Sequence, residues 1–120
     1  MRKKENRLRQ ARNARRAHAR ALERLSKDPS TIGVTAEASV KEFALYRRHE
    51  LMTEIDLLFL GDEITIAEYK ARHTSIQGRK ARDQLDLAVH YLRENYGIEV
   101  DKAVYVTARG VKKWFRPIHH

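Results

Sequence analysis

Ile64-Thr65-Ile66-Ala67-Glu68-Tyr69-Lys70-Ala71-Arg72-His73 is the stretch on which the fold turns. Thr65 followed three residues later by Glu68 has the form of a capping box, and Ile64 with Tyr69 occupies the positions of a hydrophobic staple. Together they predict a short helix over 66–73. Downstream, Thr74 with Gln77 forms a second capping pair and opens a longer helix. Its buried face reads Ala81, Leu85, Ala88 and Leu92, and Gly97 is its stop. Beyond Gly97 the period changes from helical to alternating. Val104-Tyr105-Val106-Thr107 alternates, Arg109-Gly110 signals a turn, and residues 111–116 form a second strand before Pro117. With Arg109-Gly110 as a two-residue loop, Tyr105 pairs with Trp114, Thr107 with Lys112 and Val104 with Phe115. Val104, Val106 and Phe115 then share one face, and Tyr105, Trp114, Lys112 and Arg116 share the other.

Upstream of the deciding stretch, Val40, Ala44, Leu51, Ile55, Leu58 and Phe59 recur at helical spacing up to the Gly61-Asp62 break. They predict a long core helix, capped by Ser39 with Glu42 or by Thr35, with a polar solvated middle at 46–50. Asp28-Pro29-Ser30 ends whatever precedes it, so residues 28–34 read as a linker. The expected organisation is an arm over 1–27, that linker, and a globular domain over 35–120. The fold class is mainly α with a C-terminal β-hairpin.

The charge separates the arm from the body. The chain has 120 residues and a formal net charge of +9. Residues 1–27 hold eleven basic side chains against Glu5 and Glu23, while the remainder is balanced at fourteen of each sign. Such an asymmetry reads as an electrostatic arm for a polyanion on a near-neutral body. Residues 8–25 are rich in Ala and Arg without Gly or Pro, so a helix is expected, at least in the bound state. Arg9, Arg12, Arg16 and Arg20 then fall on one face, and Arg7 and Arg15 complete the expected phosphate-contacting set. A second copy of the chain is left open as a partner, through the long second helix or the seam of Leu8, Ala11, Leu22 and Leu25 that Arg15 and His18 interrupt.

Several classes are disfavoured. The chain has no Cys, so a disulfide framework and a cysteine zinc site are excluded and a reduced, cytoplasmic setting is expected. No apolar run approaches the roughly 18 residues of a membrane span, and no membrane partner is expected. His18, His49, His73, His90, His119 and His120 fall in no metal spacing, the last two being native or the residue of a tag. Asp62, Glu63 and Glu68 could supply carboxylates, but Glu68 is already used as a cap. No phosphate loop or nucleophile elbow is present, so the sequence predicts a protein that is not an enzyme, with no cofactor and no metal.

The order long helix, short helix, turn, longer helix and hairpin resembles the winged helix-turn-helix family of DNA-binding proteins over residues 64–117. The resemblance implies a recognition helix carrying Gln77, Arg79, Lys80 and Arg82 toward base edges. It also implies a wing presenting Arg109, Lys112, Lys113 and Trp114. The expected function is nucleic-acid binding, duplex DNA favoured and RNA an alternative, as a transcriptional regulator or accessory factor of a phage or plasmid. A phage-encoded inhibitor docking on a host ribonucleoprotein or polymerase, of an anti-CRISPR-like kind, is a second reading. An RNA-binding or ribosome-associated factor with the hairpin as a stacking platform is a third.

Overall fold

The computed structural model describes residues 2–117. Within them a helix α1 (Arg2–Lys27) and a 3-10 turn (Pro29–Ile32) lead into strands β1 (Ala38–Arg47), β2 (Glu50–Leu60) and β3 (Ile64–Tyr69). Helix α2 (Ser75–Tyr96) then crosses over to β4 (Lys102–Thr107), and β5 (Gly110–Phe115) closes the chain. The strands form one mixed sheet in sequence order. β3 and β4 are parallel and the other neighbours antiparallel. The parallel pair is what α2 makes possible, because parallel neighbours need a crossover connection.

This sheet replaces the expected mainly α, winged-helix-like domain. The long helix expected before Gly61 is a β1–β2 hairpin. Arg48 and His49, read as its solvated middle, are the two-residue turn, with φ of +51° and +71°. A tight hairpin loop favours such left-handed residues, which are ordinarily Gly, Asn or Asp. Residues 55–59 are buried on both faces of a central strand, and an apolar run of that kind carries no alternation to separate it from a buried helix. The short helix expected over 66–73 is β3 and the loop after it. Thr65 faces Phe59 and Lys102 in the ladders instead of capping anything. Ser39 likewise caps no helix; its hydroxyl donates to the Ser26 carbonyl at 3.0 Å.

The expectations for α2 and for a C-terminal hairpin hold in outline. The Gln77 amide donates to Thr74 Oγ1 at 3.0 Å, and Ala81, Leu85, Ala88 and Leu92 are buried. Gly97 caps the end at φ +64°. In the hairpin the register differs from the expected one, by one residue at Val104, which pairs with Trp114, and at Tyr105, which pairs with Lys113, and by two at Thr107, which pairs with Gly110. The turn is Ala108-Arg109, and the shift between Tyr105 and Val106 leaves Lys112 as an extra residue. A one-residue slip exchanges faces. Phe115 therefore lies on the α2 side with Tyr105, while Val104 and Val106 face the other way.

Two cores flank the sheet. Leu45, Ile55, Leu58, Ile66, Ala103 and Tyr105 pack under α2. Leu57, Phe59, Ala67, Tyr69, Val104 and Val106 pack against Ala21 and Leu22 of α1 and against Ile32 and Val34. His18, Ala21, Leu22 and Leu25 form the inward stripe of α1 at spacings of three and four, and residues 2–17 are exposed. His119 and His120 lie outside the described residues.

Candidate active site at the fork between two strands

β2 and β3 are hydrogen-bonded from Leu60↔Ile64 as far as Leu57↔Ala67. Beyond that pair they diverge, β2 continuing on β1 and β3 on β4. The divergence strips the Tyr69 amide of a β2 carbonyl, and a buried amide needs an acceptor. Asp56 supplies it: Oδ2 accepts from Tyr69 N at 2.8 Å. The other oxygen, Oδ1, lies 3.3 Å from His18 Nε2, and the His18 ring rests against Tyr69 with centroids 5.7 Å apart. Asp56 is thus oriented from two elements at once, by the β3 backbone and by α1.

Glu68, only 4% exposed, shares this gap. Burial and the adjacent Asp56 carboxylate push it up to about 8. Lys70 Nζ, 3.5 Å from Glu68 Oε1, opposes that rise but does not cancel it. A carboxylate placed beside another in a dry gap prefers to hold a proton, or to share a cation. Glu68 and Lys70 stand two residues apart, which directs them to one side of an extended chain.

The donor set suits a hard divalent cation such as Mg²⁺, which keeps several waters and takes one or two carboxylates together with substrate phosphates. Among the described residues no group of three or more His, Cys, Asp or Glu side chains is arranged to hold a metal ion by itself, and a closed zinc cage would require more donors than the two carboxylates of the fork provide.

Next to the fork, Tyr105 pairs with Glu68 across the β3–β4 ladder, and its hydroxyl is hydrogen-bonded to His73 Nδ1 at 3.1 Å. The residues expected to contact nucleic acid fall around this end of the sheet or on α1. Arg7, Arg9, Arg12, Arg15, Arg16 and Arg20 are all exposed on α1. Arg79, Lys80 and Arg82 are exposed on the first turns of α2 and Gln77 is half-buried. Arg82 pairs with Asp86 at 3.2 Å and lies over the Phe115 ring at 4.1 Å. Arg109 is in the β4–β5 turn, and Lys112, Lys113 and Trp114 are exposed on β5. Arg79, Arg82, Lys112 and Lys113 come together along one hollow. Gln77, Lys80, Arg109 and Trp114 do not line it.

Sequence reasoning passed over Asp56, Lys70 and His18. A signal for Asp56 was available: it is a lone carboxylate inside the apolar run 55–59, and an acidic residue is seldom buried without a task. The signal for Glu68 and Lys70 was masked by the capping-box pattern.

Among the described residues no helix is long and apolar enough to cross a membrane. No family model matches the chain, and no curated protein matches it. Among solved structures, a complex of EndoMS with double-stranded DNA is similar at 24% identity and a TM-score of 0.47. The match covers 77% of this chain and 37% of that one, so this chain spans well under half of the EndoMS chain. At that TM-score the likeness carries no argument about function.

Proposed function

We propose that this protein is a divalent-metal-dependent nuclease that hydrolyses phosphodiester bonds of nucleic acid at the β2–β3 fork. The observation that carries the reading is the pair of buried carboxylates, Asp56 and Glu68, held together beside Lys70. A bound divalent cation supplies a coordinated water of lowered pKa and neutralises charge on the phosphate. Asp56 enters with its orientation fixed by the Tyr69 amide and His18, so little reorganisation is left for the reactive complex. Glu68, which burial and the neighbouring Asp56 carboxylate hold toward its protonated form, would be the second carboxylate to hold the cation, whose charge favours the ionised form. Lys70 presents a compact positive charge where a phosphate oxygen would lie. In the reaction, water oxygen bonds to phosphorus, the P–O ester bond breaks, and the products are a phosphate monoester and a hydroxyl end.

The basic helix supports a polyanionic substrate. Arg15 stands three residues and Arg7 eleven residues before His18, spacings that bring both near the stripe on which His18 meets Asp56. Phosphates drawn to that stripe would be led toward the fork.

Calorimetric titration with Mn²⁺ tests the site without any substrate. Wild-type protein is expected to bind the cation with release of protons near neutral pH, and Asp56→Asn and Glu68→Gln to lose that binding. Undiminished binding in both variants would sink the proposal.

A further inference from the structure

Two hollows border the loop after β3 and the β4–β5 turn, and both include His73 and Lys112 in their lining. The first runs past Arg79, Arg82 and Lys113 over a floor of Tyr105 and Phe115. The second runs past Arg72 and Arg109. The two hollows adjoin at His73 and Lys112 and together make a groove in two parts. Its near end adjoins the fork twice over: Arg72 follows Lys70 by two residues, and floor residue Tyr105 is the ladder partner of Glu68.

The charge of the groove is one-sided. No Asp or Glu lines either hollow among the described residues. Of the cations, Arg82 is neutralised by Asp86. Arg72, Arg79, Arg109, Lys112 and Lys113 form no ion pair among the described residues, and all five are exposed. Unpaired cations gathered along a concave path, with no carboxylate between them, repel one another until an anion with several charges lies among them. The aromatic floor is not open for base stacking, since Tyr105 is buried and Phe115 is covered by Arg82 and by Lys113, whose Nζ lies 5.3 Å from the ring centroid. The groove thus offers charge without a base-reading surface.

We infer that this groove holds successive backbone phosphates of one nucleic-acid strand on one side of the bond that is cut. The inference rests on the proposed nuclease only for the phrase "the bond that is cut"; binding in the groove requires no cleavage. It also gives Arg79, Lys112 and Lys113 a role that needs neither a recognition helix nor a wing in a DNA groove.

The test uses the full chain carrying Asp56→Asn, so that substrate persists, and a short blunt duplex DNA titrated over a salt series. Adding Arg79→Ala, Arg109→Ala and Lys112→Ala together is expected to weaken binding at least about tenfold and to flatten the salt dependence by about one unit per lost phosphate contact. These exposed positions lie outside both cores, and an unchanged melting temperature would verify the fold. Lys112→Glu alone, a single charge reversal, is expected to weaken binding in the same direction. An affinity and salt slope matching the Asp56→Asn parent in both variants would overturn the inference. So would binding lost on removing only the terminal phosphates of the DNA, which would mean that a strand end and not a continuous backbone is held. If wild-type protein cuts no DNA yet the groove variants still lose salt-sensitive binding, the nuclease reading falls and the groove stands.

Discussion

At the β2–β3 fork two buried carboxylates are held beside a lysine and an imidazole that are each partly exposed, whereas residues 2–17 of α1 hold their arginines out in solvent. The two regions use charge in opposite ways. Exposed arginines cost the folded state little, act at a distance and are screened by salt. The buried carboxylates oppose folding through their burial and mutual repulsion, and that same unfavourable energy is available to a cation and a phosphate. On the proposed reading, affinity is spread over many interchangeable groups and chemistry is concentrated in a few that are not.

That separation is open to direct attack. The largest expected effect is at the fork: Asp56→Asn should slow single-turnover DNA cleavage by about a thousandfold while leaving DNA affinity within about twofold. A parallel loss of affinity would mean that the two regions are not separable. Leu22→Ala probes where α1 joins the body, because Leu22 is 1% exposed and belongs to the core under Tyr69 and Phe59. It should cost about 3 kcal/mol in denaturant unfolding, whereas truncating an arginine of the first turns should leave stability within about 0.5 kcal/mol.

Glu68 sharpens the contrast through pH. Its ordinary value of 4.5 is raised to about 8 in the folded protein, so between those values the folded chain keeps a proton that the unfolded chain releases. Stability of the metal-free protein should therefore be highest at the acid end of this window and decline as pH rises through it, by at most on the order of a few kcal/mol. Glu68→Gln should remove that component of the decline, and saturating Mg²⁺ or Mn²⁺ should offset it. An identical pH dependence of melting in wild type and Glu68→Gln would show that the fork is not under electrostatic strain. The smallest effect belongs to the arm. Arg7→Ala with Arg15→Ala should reduce DNA affinity by about tenfold at low salt, flatten the salt slope by about two units, and leave the maximal cleavage rate unchanged.

The legibility of the two regions in the sequence follows from the same difference. A run of arginines is evident in composition alone, and α2 was readable because Thr74, Gln77, the Ala81 to Leu92 stripe and Gly97 all agree on one period. The β-sheet was not readable in the same way. β2 and β3 are buried on both faces over residues 55–59 and 65–69, so neither carries the alternation that marks a half-buried strand. Their hairpin neighbour is closed by Arg48-His49 and not by a glycine or asparagine pair, so the turn gave no local signal. Thr65 and Glu68 fit a capping box by coincidence of spacing, and that pattern hides the buried carboxylate at Glu68. Asp56 and His18 lie 38 residues apart in sequence, and only the sheet brings them into contact.

The most direct measurement is the fate of supercoiled circular DNA incubated with the wild-type chain and Mg²⁺ or Mn²⁺, with a chelator and Asp56→Asn as the two controls. Nicked or linear DNA is expected to accumulate with the cation, and none with chelator or with Asp56→Asn. Intact circles under every condition, or cleavage that persists equally in the chelator or in Asp56→Asn, would contradict it.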